Sequence, residues 1–81
     1  MLNLKIVSPE KVEYAGDVES ITMPGVEGAF QVLQNHAPII SILKEGAVVY
    51  DDKDGQHQLP IESGFVVVQK NKVSLCVEKP S

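Results

Sequence analysis

The sequence has no arginine, no tryptophan and only one cysteine, and aromatic residues of every kind are few. Seven lysines stand against eleven acidic residues, so the formal net charge is −4 at pH 7. Binding to nucleic acid or to an anionic membrane needs a positive surface, and arginine is the main reader of base edges. The composition therefore argues against a nucleic-acid-binding protein and against direct attachment to lipid.

The single cysteine, Cys76, has no partner for an internal disulfide, and a lone thiol suits a reducing compartment. It lies in the stretch VSLCV, residues 73–77, which contains no basic residue that would favour a reactive thiolate. We predict that Cys76 is a small hydrophobic residue of the core.

Long hydrophobic runs are also missing. No stretch approaches the ~20 apolar residues of a membrane-spanning helix. Residues 1–5 lack the charged start and apolar run of a signal peptide. With 81 residues the chain has room for one domain, which we place at residues 1–81. We expect this domain to reach a membrane only through another protein.

Apolar and polar residues alternate with period two in residues 2–6, 12–14, 30–32 and 73–77, as in strands with one face on a core. No segment has the longer apolar period of a stable helix. Glycine, proline and other turn residues interrupt the chain at Ser8-Pro9, Gly16-Asp17, Pro24-Gly25, His36-Ala37-Pro38, Glu45-Gly46, Asp54-Gly55, Ser63-Gly64 and Asn71-Lys72. The sequence thus predicts an all-β domain, a two-layer antiparallel β-sandwich of about nine short strands, with a tight hairpin at Asp54-Gly55.

Two segments depart from this alternation. Residues 38–43 (PIISIL) and 65–68 (FVVV) are apolar on both faces. Only one face of each sheet meets the core of a sandwich, and a spare apolar face usually marks a partner site. In the alternative interpretation, the ends of the sheets wrap over each other and bury both faces internally.

Residues able to carry catalysis are sparse. The two histidines, His36 and His57, and Cys76 have no metal-ligand spacing, and no serine lies in a nucleophile elbow. We therefore predict no catalytic residue, no metal site and no cofactor, and a protein that works by binding other proteins.

Two other functions remain open from the residues alone. Lys53 stands between Asp52 and Asp54 at a predicted hairpin tip, which is where a lipoyl or biotinyl carrier domain displays its modified lysine. An ordinary solvated turn lysine explains the same pattern, because Asp-Gly is itself a turn signal. A free-standing small-molecule binder is the second alternative, and it requires a deep apolar pocket for which so small a sandwich leaves little volume.

Residues 23–38, MPGVEGAFQVLQNHAP, carry the most specific pattern. They resemble the P-G-x-E-G-x-[F/L]-G-[V/I]-x-x-x-H-A-P stretch of the epsilon subunit of F-type ATP synthase, called delta in mitochondria. Residues 7–10 (VSPE), 43–46 (LKEG) and 64–68 (GFVVV) match further landmarks in the same order, so the resemblance covers essentially the whole chain. The chain departs from the family at Ala29, where an acid is common, at Gln31, often glycine, and at Gln34, often proline.

The resemblance implies a non-catalytic rotor subunit at the foot of the central stalk. Such a subunit clamps gamma to the c-ring, acts indirectly on the alpha/beta head, and couples proton flow to ATP synthesis at the cytoplasmic face of the cell membrane. The implied c-ring contacts are Glu27, Gly28, Ala29, Asn35 and His36. The implied gamma contacts are Ser8, His36, Ile40, Ser41 and Ile42. We expect the loops at 27–28 and 34–36 to lie together at one end of the sandwich, and Ser41 to lie on the outward apolar face towards gamma.

Members of this family commonly carry a C-terminal pair of helices that can inhibit ATP hydrolysis and, in some members, bind ATP. The sequence ends at Ser81, just past its last strand-like segment. We expect no C-terminal helical hairpin in these residues, and neither inhibition nor ATP binding of that kind.

Overall fold

The computed structural model describes residues 1–80. Within them the chain forms nine β-strands and no helix, and hence no helix able to cross a membrane. The strands are β1 (Leu2–Val7), β2 (Val12–Val18), β3 (Ser20–Gly25), β4 (Gly28–Val32), β5 (Ile39–Leu43), β6 (Gly46–Asp52), β7 (Gly55–Ile61), β8 (Ser63–Gln69) and β9 (Lys72–Glu78).

All nine strands belong to one hydrogen-bonded sheet, in the order β2-β1-β9-β8-β5-β3-β6-β7, with β4 paired to β3. The sheet folds back at the junction of β5 and β3, which pair only at Gly25 and Leu43. At the opposite side, Tyr14 of β2 packs against Tyr50 of β6, with ring centroids 4.6 Å apart. The strands β2-β1-β9-β8-β5 therefore lie against the strands β4-β3-β6-β7, as two layers of a sandwich.

The core lies between these layers and is made of every second residue of the strands. The alternation is clearest in the adjacent strands β1 and β9, whose buried residues are Leu2, Leu4, Ile6, Val73, Leu75 and Val77. Among residues 1–80 no polar or charged residue is buried. Burial of apolar area is the main stabilising contribution to such a fold, and the predicted period-two pattern is confirmed.

The prediction of an all-β sandwich of about nine strands is confirmed, and three details differ. The pair β1–β9 is parallel, whereas the other pairs are antiparallel. The expected break at Gly16-Asp17 is wrong, because Gly16 pairs regularly with Leu4 and β2 continues to Val18. The prediction of a core Cys76 is also wrong. Cys76 is half-buried and alternates with the buried Leu75, so it faces outward.

The hairpin between β6 and β7 forms where the sequence predicted it. Asp52 and Gly55 are the last paired residues, and Lys53 and Asp54 make the two-residue loop. Gly55 has a φ of 117°, which side chains at other residues rarely tolerate. The Asp52 carboxylate accepts a hydrogen bond from the Asp54 N–H at 2.8 Å and holds the loop closed.

Candidate functional site

An apolar patch covers the outer face where β5 pairs with β8. The register places Ile40 opposite Val67 and Ile42 opposite Phe65. Ile40 is 77% exposed, Ile42 57% and Phe65 43%, while Val67 is half-buried. We call these four residues the outward patch. The prediction that residues 38–43 and 65–68 present apolar side chains away from the core is confirmed. The alternative, in which the ends of the sheets wrap over each other and bury both faces, is wrong for this face.

Ser41 does not belong to the outward patch. Along β5 the side chains alternate, so Ser41 shares a face with Leu43, which is buried. Its partner across the ladder is Val66, which is fully buried in the core. The expectation that Ser41 lies on the outward apolar face is therefore wrong, because one residue of shift exchanges the two faces of a strand.

The tip of the β3–β4 hairpin lies beside β5. The Val26 N–H donates to the Ile42 carbonyl at 3.1 Å, and the Lys44 N–H donates to the Pro24 carbonyl at 2.9 Å. A groove of about 610 Å³ runs between the hairpin tip and β5. We call it the hairpin groove. Its lining combines three predicted c-ring contacts, Glu27, Gly28 and Ala29, with three predicted gamma contacts, Ile40, Ser41 and Ile42.

Asn35 and His36 lie elsewhere. The Asn35 N–H donates to Oδ1 of Asn71 at 2.7 Å, which ties this loop to the turn between β8 and β9. That turn is at the opposite end of β8 from Phe65, the neighbour of Ile42. The expectation that the loops at 27–28 and 34–36 lie together is therefore wrong. The loop at 27–28 lies at the start of β4 and the loop at 34–36 lies beyond its end. The five residues of β4 keep the two loops apart by about 17 Å of extended chain.

His36 is half-buried, and its Nδ1 lies 2.7 Å from the Ala37 carbonyl. The peptide segment before Pro38 is held in this way, so the ring has a structural contact within its own loop. Asn35 has a φ of 66°, a conformation that asparagine tolerates better than most residues.

Ser8 borders the outward patch from another direction. It lines a groove of about 510 Å³ that also includes Ile42, Phe65 and Cys76. Its hydroxyl donates to Glu13 Oε2 at 2.8 Å, and this hydrogen bond lowers the pKa of Glu13. The hydroxyl of Ser8 is thus already hydrogen-bonded within the chain. Ser8 contributes to the outward patch only by lying at its rim.

Sequence reasoning did not name Phe65 and Val67 as site residues. The signal is present in the sequence, because residues 65–68 are apolar on both faces. What the sequence did not show is the β5–β8 register that puts these residues beside Ile40 and Ile42. Pairing between strands distant in sequence is set by the fold as a whole.

The titratable side chains gather away from the outward patch, where β2 meets β6. Asp52 accepts hydrogen bonds from the Tyr14 hydroxyl at 3.2 Å and, through its other oxygen, contacts His57 Nε2 at 2.9 Å. Burial alone would raise the pKa of Asp52, but the hydrogen bonds from His57 and from the Asp54 N–H outweigh it and lower that pKa. Burial, followed by the bond to Asp52, raises the pKa of Tyr14. These contacts hold the two layers together.

The remaining candidate sites are the modified lysine of a carrier domain and a metal site. Lys53 is exposed in the β6–β7 loop, as the carrier hypothesis requires and as an ordinary turn lysine also would be. Within residues 1–80 no three His, Cys, Asp or Glu side chains cluster so that they could hold a metal ion.

Comparison with known proteins identifies the domain. Residues 1–80 match the family model of the ATP synthase delta/epsilon chain β-sandwich domain. The ATP synthase epsilon chain of Leptospira borgpetersenii is 38% identical over 77 residues, which are 95% of this chain and 61% of the relative. That of Nitratiruptor sp. is 42% identical over 78 residues, covering 95% and 60%. The chain thus spans about 60% of the length of these relatives.

Solved structures show the same fold. A chain of the mitochondrial ATP synthase of Euglena gracilis superposes with a TM-score of 0.87 at 23% identity, over 94% of this chain and 49% of that one. A chain from the central stalk and c-ring of the Tetrahymena thermophila enzyme superposes with a TM-score of 0.81 at 16% identity, over 96% of this chain and 63% of that one. The family match favours the ATP synthase epsilon resemblance over a carrier domain modified at Lys53. The chain belongs to the family of ATP synthase delta/epsilon chain β-sandwich domains.

Proposed function

We propose that this chain is a non-catalytic rotor subunit of the central stalk of F-type proton-translocating ATP synthase, and that it clamps gamma to the c-ring. The outward patch supports this proposal most directly. Ile40 and Ile42 are more than half exposed, and with Phe65 and Val67 across the β5–β8 ladder they form one contiguous apolar surface. A contiguous apolar surface of this kind is stabilised by a partner, and the family is one of subunits within a larger complex.

Gamma is the partner that we assign to the outward patch and to the hairpin groove. Ile40 and Ile42 would be the buried centre, since well-packed apolar anchors provide most of the binding energy of an interface. Ser41 lines the hairpin groove, and Ser8 lies at the opposite rim of the patch. His36 is proposed as a gamma contact beyond the other end of β5.

The c-ring is assigned to the tip of the β3–β4 hairpin, at Glu27, Gly28 and Ala29, which would contact gamma on the groove side and the c-ring on the outer side. These residues form an exposed end of the sandwich. Because Asn35 lies beyond the opposite end of β4, it does not share this end, and we leave it out of the proposed c-ring contact. Attachment to the cytoplasmic face of the cell membrane then follows from the complex, with no lipid contact by the domain itself.

The test is a glutamate at the centre of the patch. Ile42→Glu should fold, because the side chain points into solvent in the isolated domain. It should weaken binding to purified gamma by about a hundredfold, since an unpaired charge would be buried on assembly. Isothermal titration measures the affinity.

Gln58→Glu is the matched control, because it makes the same charge change at an exposed position on β7. It should bind gamma as the unmodified chain does. Equal binding by both variants would show that the assigned gamma surface is wrong. Failure of the unmodified chain to bind gamma, or to co-purify with the membrane-bound enzyme, would contradict the proposed function itself.

A further inference from the structure

The edge of β5 that faces away from β8 is open along most of its length. Among residues 1–80 its only strand pairing on that side is the single pair Gly25–Leu43. Since the Ile42 carbonyl accepts the Val26 N–H, the backbone groups of Ile42 point to that side. Strand groups repeat every second residue, so the N–H and C=O of Ile40 point the same way, into the hairpin groove. There they have no pairing strand within the described chain.

Of the other strands at the margins of the sheet, β2 and β7 have features that hinder further pairing, whereas β4, which within residues 1–80 pairs with β3 alone, has a free edge of its own. On β7, Pro60 removes one backbone donor, and the pairing of β2 is interrupted by a register shift opposite Val7. The residues of β5, Ile39–Leu43, include no charge and no proline. An open, apolar, uncharged strand edge is a template for pairing with another chain unless something covers it.

The hairpin groove has the shape for such a strand. Six residues line its hairpin side, and three of them, Gly25, Gly28 and Ala29, bring almost no side-chain bulk into it; the others are Val26, Glu27 and Phe30. Neighbouring strands need a spacing of about 4.8 Å, and small residues permit that approach. Ile40 and Ile42 stand on the adjoining face, where alternate side chains of an added strand would pack on them.

The negative charge of Glu27 indicates which kind of segment would bind in the hairpin groove. Among residues 1–80, Glu27 is the only charged residue that lines the hairpin groove. A second copy that paired through the same edge would bring its own Glu27 to the hairpin groove, and each copy has a net charge of −4. Like charges in that position disfavour pairing of two copies. A segment with a lysine or arginine beside Glu27 is complementary.

We propose that the open edge of β5 receives an extended segment of its protein partner by strand addition, paired through the backbone of Ile40, with apolar residues at alternate positions and a basic residue beside Glu27. This inference rests on the proposed function, because it describes how gamma would engage the surface assigned to it. It adds a main-chain recognition mode to what would otherwise be contact between side chains.

Amide hydrogen exchange tests the pairing directly. In the free chain the Ile40 amide should exchange quickly, and binding of purified gamma should slow it by at least about tenfold, as a new backbone hydrogen bond would. The Ser41 amide is the internal reference, because its groups point to β8 and are already paired in the free chain. Its exchange should change much less.

A pair of variants separates the backbone from the side chain. Ile40→Pro deletes an N–H that makes no bond inside the domain, so the fold should tolerate it, yet it should lose gamma binding by more than about tenfold relative to Ile40→Ala. Ile40→Ala keeps the donor and loses only the side chain. The exchange experiment on the unmodified chain stands even if the proline variant does not fold.

Each result is decisive. Protection of Ile40, with the proline variant weaker than the alanine variant, supports strand addition. Gamma binding with unchanged exchange at Ile40 overturns strand addition and leaves the proposed function in place. No binding of gamma by the unmodified chain overturns both. Protection of Ile40 in a gamma-free solution that sedimentation shows to be dimeric would make a second copy the occupant and overturn the choice of partner.

Discussion

Tyr14 of β2 donates a hydrogen bond to Asp52 Oδ2 of β6 at 3.2 Å, although the two residues are 38 positions apart. The ring of Tyr14 also packs at 4.6 Å on that of Tyr50, which in turn stacks on His57 at 5.3 Å. These contacts join the two layers on the side away from the β5–β3 junction. The stability of the sandwich should therefore respond to changes at this contact.

Tyr14→Phe removes the hydroxyl and keeps the ring. We expect the free energy of unfolding to fall by about 1 kcal/mol, the usual contribution of one such hydrogen bond. Urea denaturation measures the change. Tyr50→Phe is the control, because its hydroxyl makes no hydrogen bond to another residue in 1–80, and it should have a smaller effect. Equal losses in both variants would show that the effect does not come from the Tyr14–Asp52 hydrogen bond.

The pH dependence of stability should reflect Asp52. Its pKa is lower in the folded chain than its ordinary value near 4, so the unfolded chain binds more protons in that range. The stabilisation is then complete above that ordinary pKa and is lost as the pH falls through the lowered pKa of the folded chain. Asp52→Asn should flatten the fall of urea midpoints between about pH 5 and 2.5. An unchanged slope would exclude Asp52 as its source.

The β6–β7 hairpin depends on the backbone of Gly55. With φ at 117°, a β-branched residue there would be strained, so Gly55→Val should lower the free energy of unfolding by about 1–3 kcal/mol. Gln56→Val on the next residue is the control and should be nearly neutral, since β-branched residues suit strands. Thermal unfolding of both variants gives the comparison, and an unchanged midpoint for Gly55→Val would count against the turn.

The loop that holds His36 is tied down by Asn71. Asn71→Ala removes the oxygen that accepts the Asn35 N–H, so exchange of the Asn35 amide should speed up by about tenfold. Asn71→Asp keeps an oxygen at this position and should preserve most of the protection. If both variants exchange like the unmodified chain, the hydrogen bond does not order the loop.

The sequence predicted most of the strands because the alternation of apolar residues is local information, whereas the break predicted at Gly16-Asp17 is absent. In β1 and β9 the alternation marks each buried residue, and the prediction of a core Cys76 is wrong because it gave residue type more weight than position in the strand. In β5 the pattern fails, since residues on both faces are apolar, and the choice between Ile40 and Ser41 for the outward side depends on pairing with Val66 and Val67. That ambiguity produced the wrong placement of Ser41.

The candidate site required information that no single segment contains. The hairpin groove is lined by residues of β3, β4 and β5. The distance between the loops at 27–28 and 34–36 depends on which end of β4 each loop adjoins. The length of β4 sets an upper limit on the distance between the two loops, but it does not show whether they lie at the same end of the sandwich. The Tyr14–Asp52 contact was likewise absent from the sequence reasoning, because it joins strands at the two sides of a folded sheet.

The parallel pairing of β1 with β9 has a consequence for biosynthesis. β1 lies between β2 and β9, so β1 leaves the ribosome before β9 and its second edge stays unpaired until β9 has been made. The contacts Asn3–Lys72 and Val7–Cys76 each span 69 residues. Such nonlocal contacts raise the contact order and slow folding. A nascent chain that lacks β9 exposes the edge of Leu2–Val7, so completion of the domain should be a late, all-or-none event rather than gradual growth from the N-terminus.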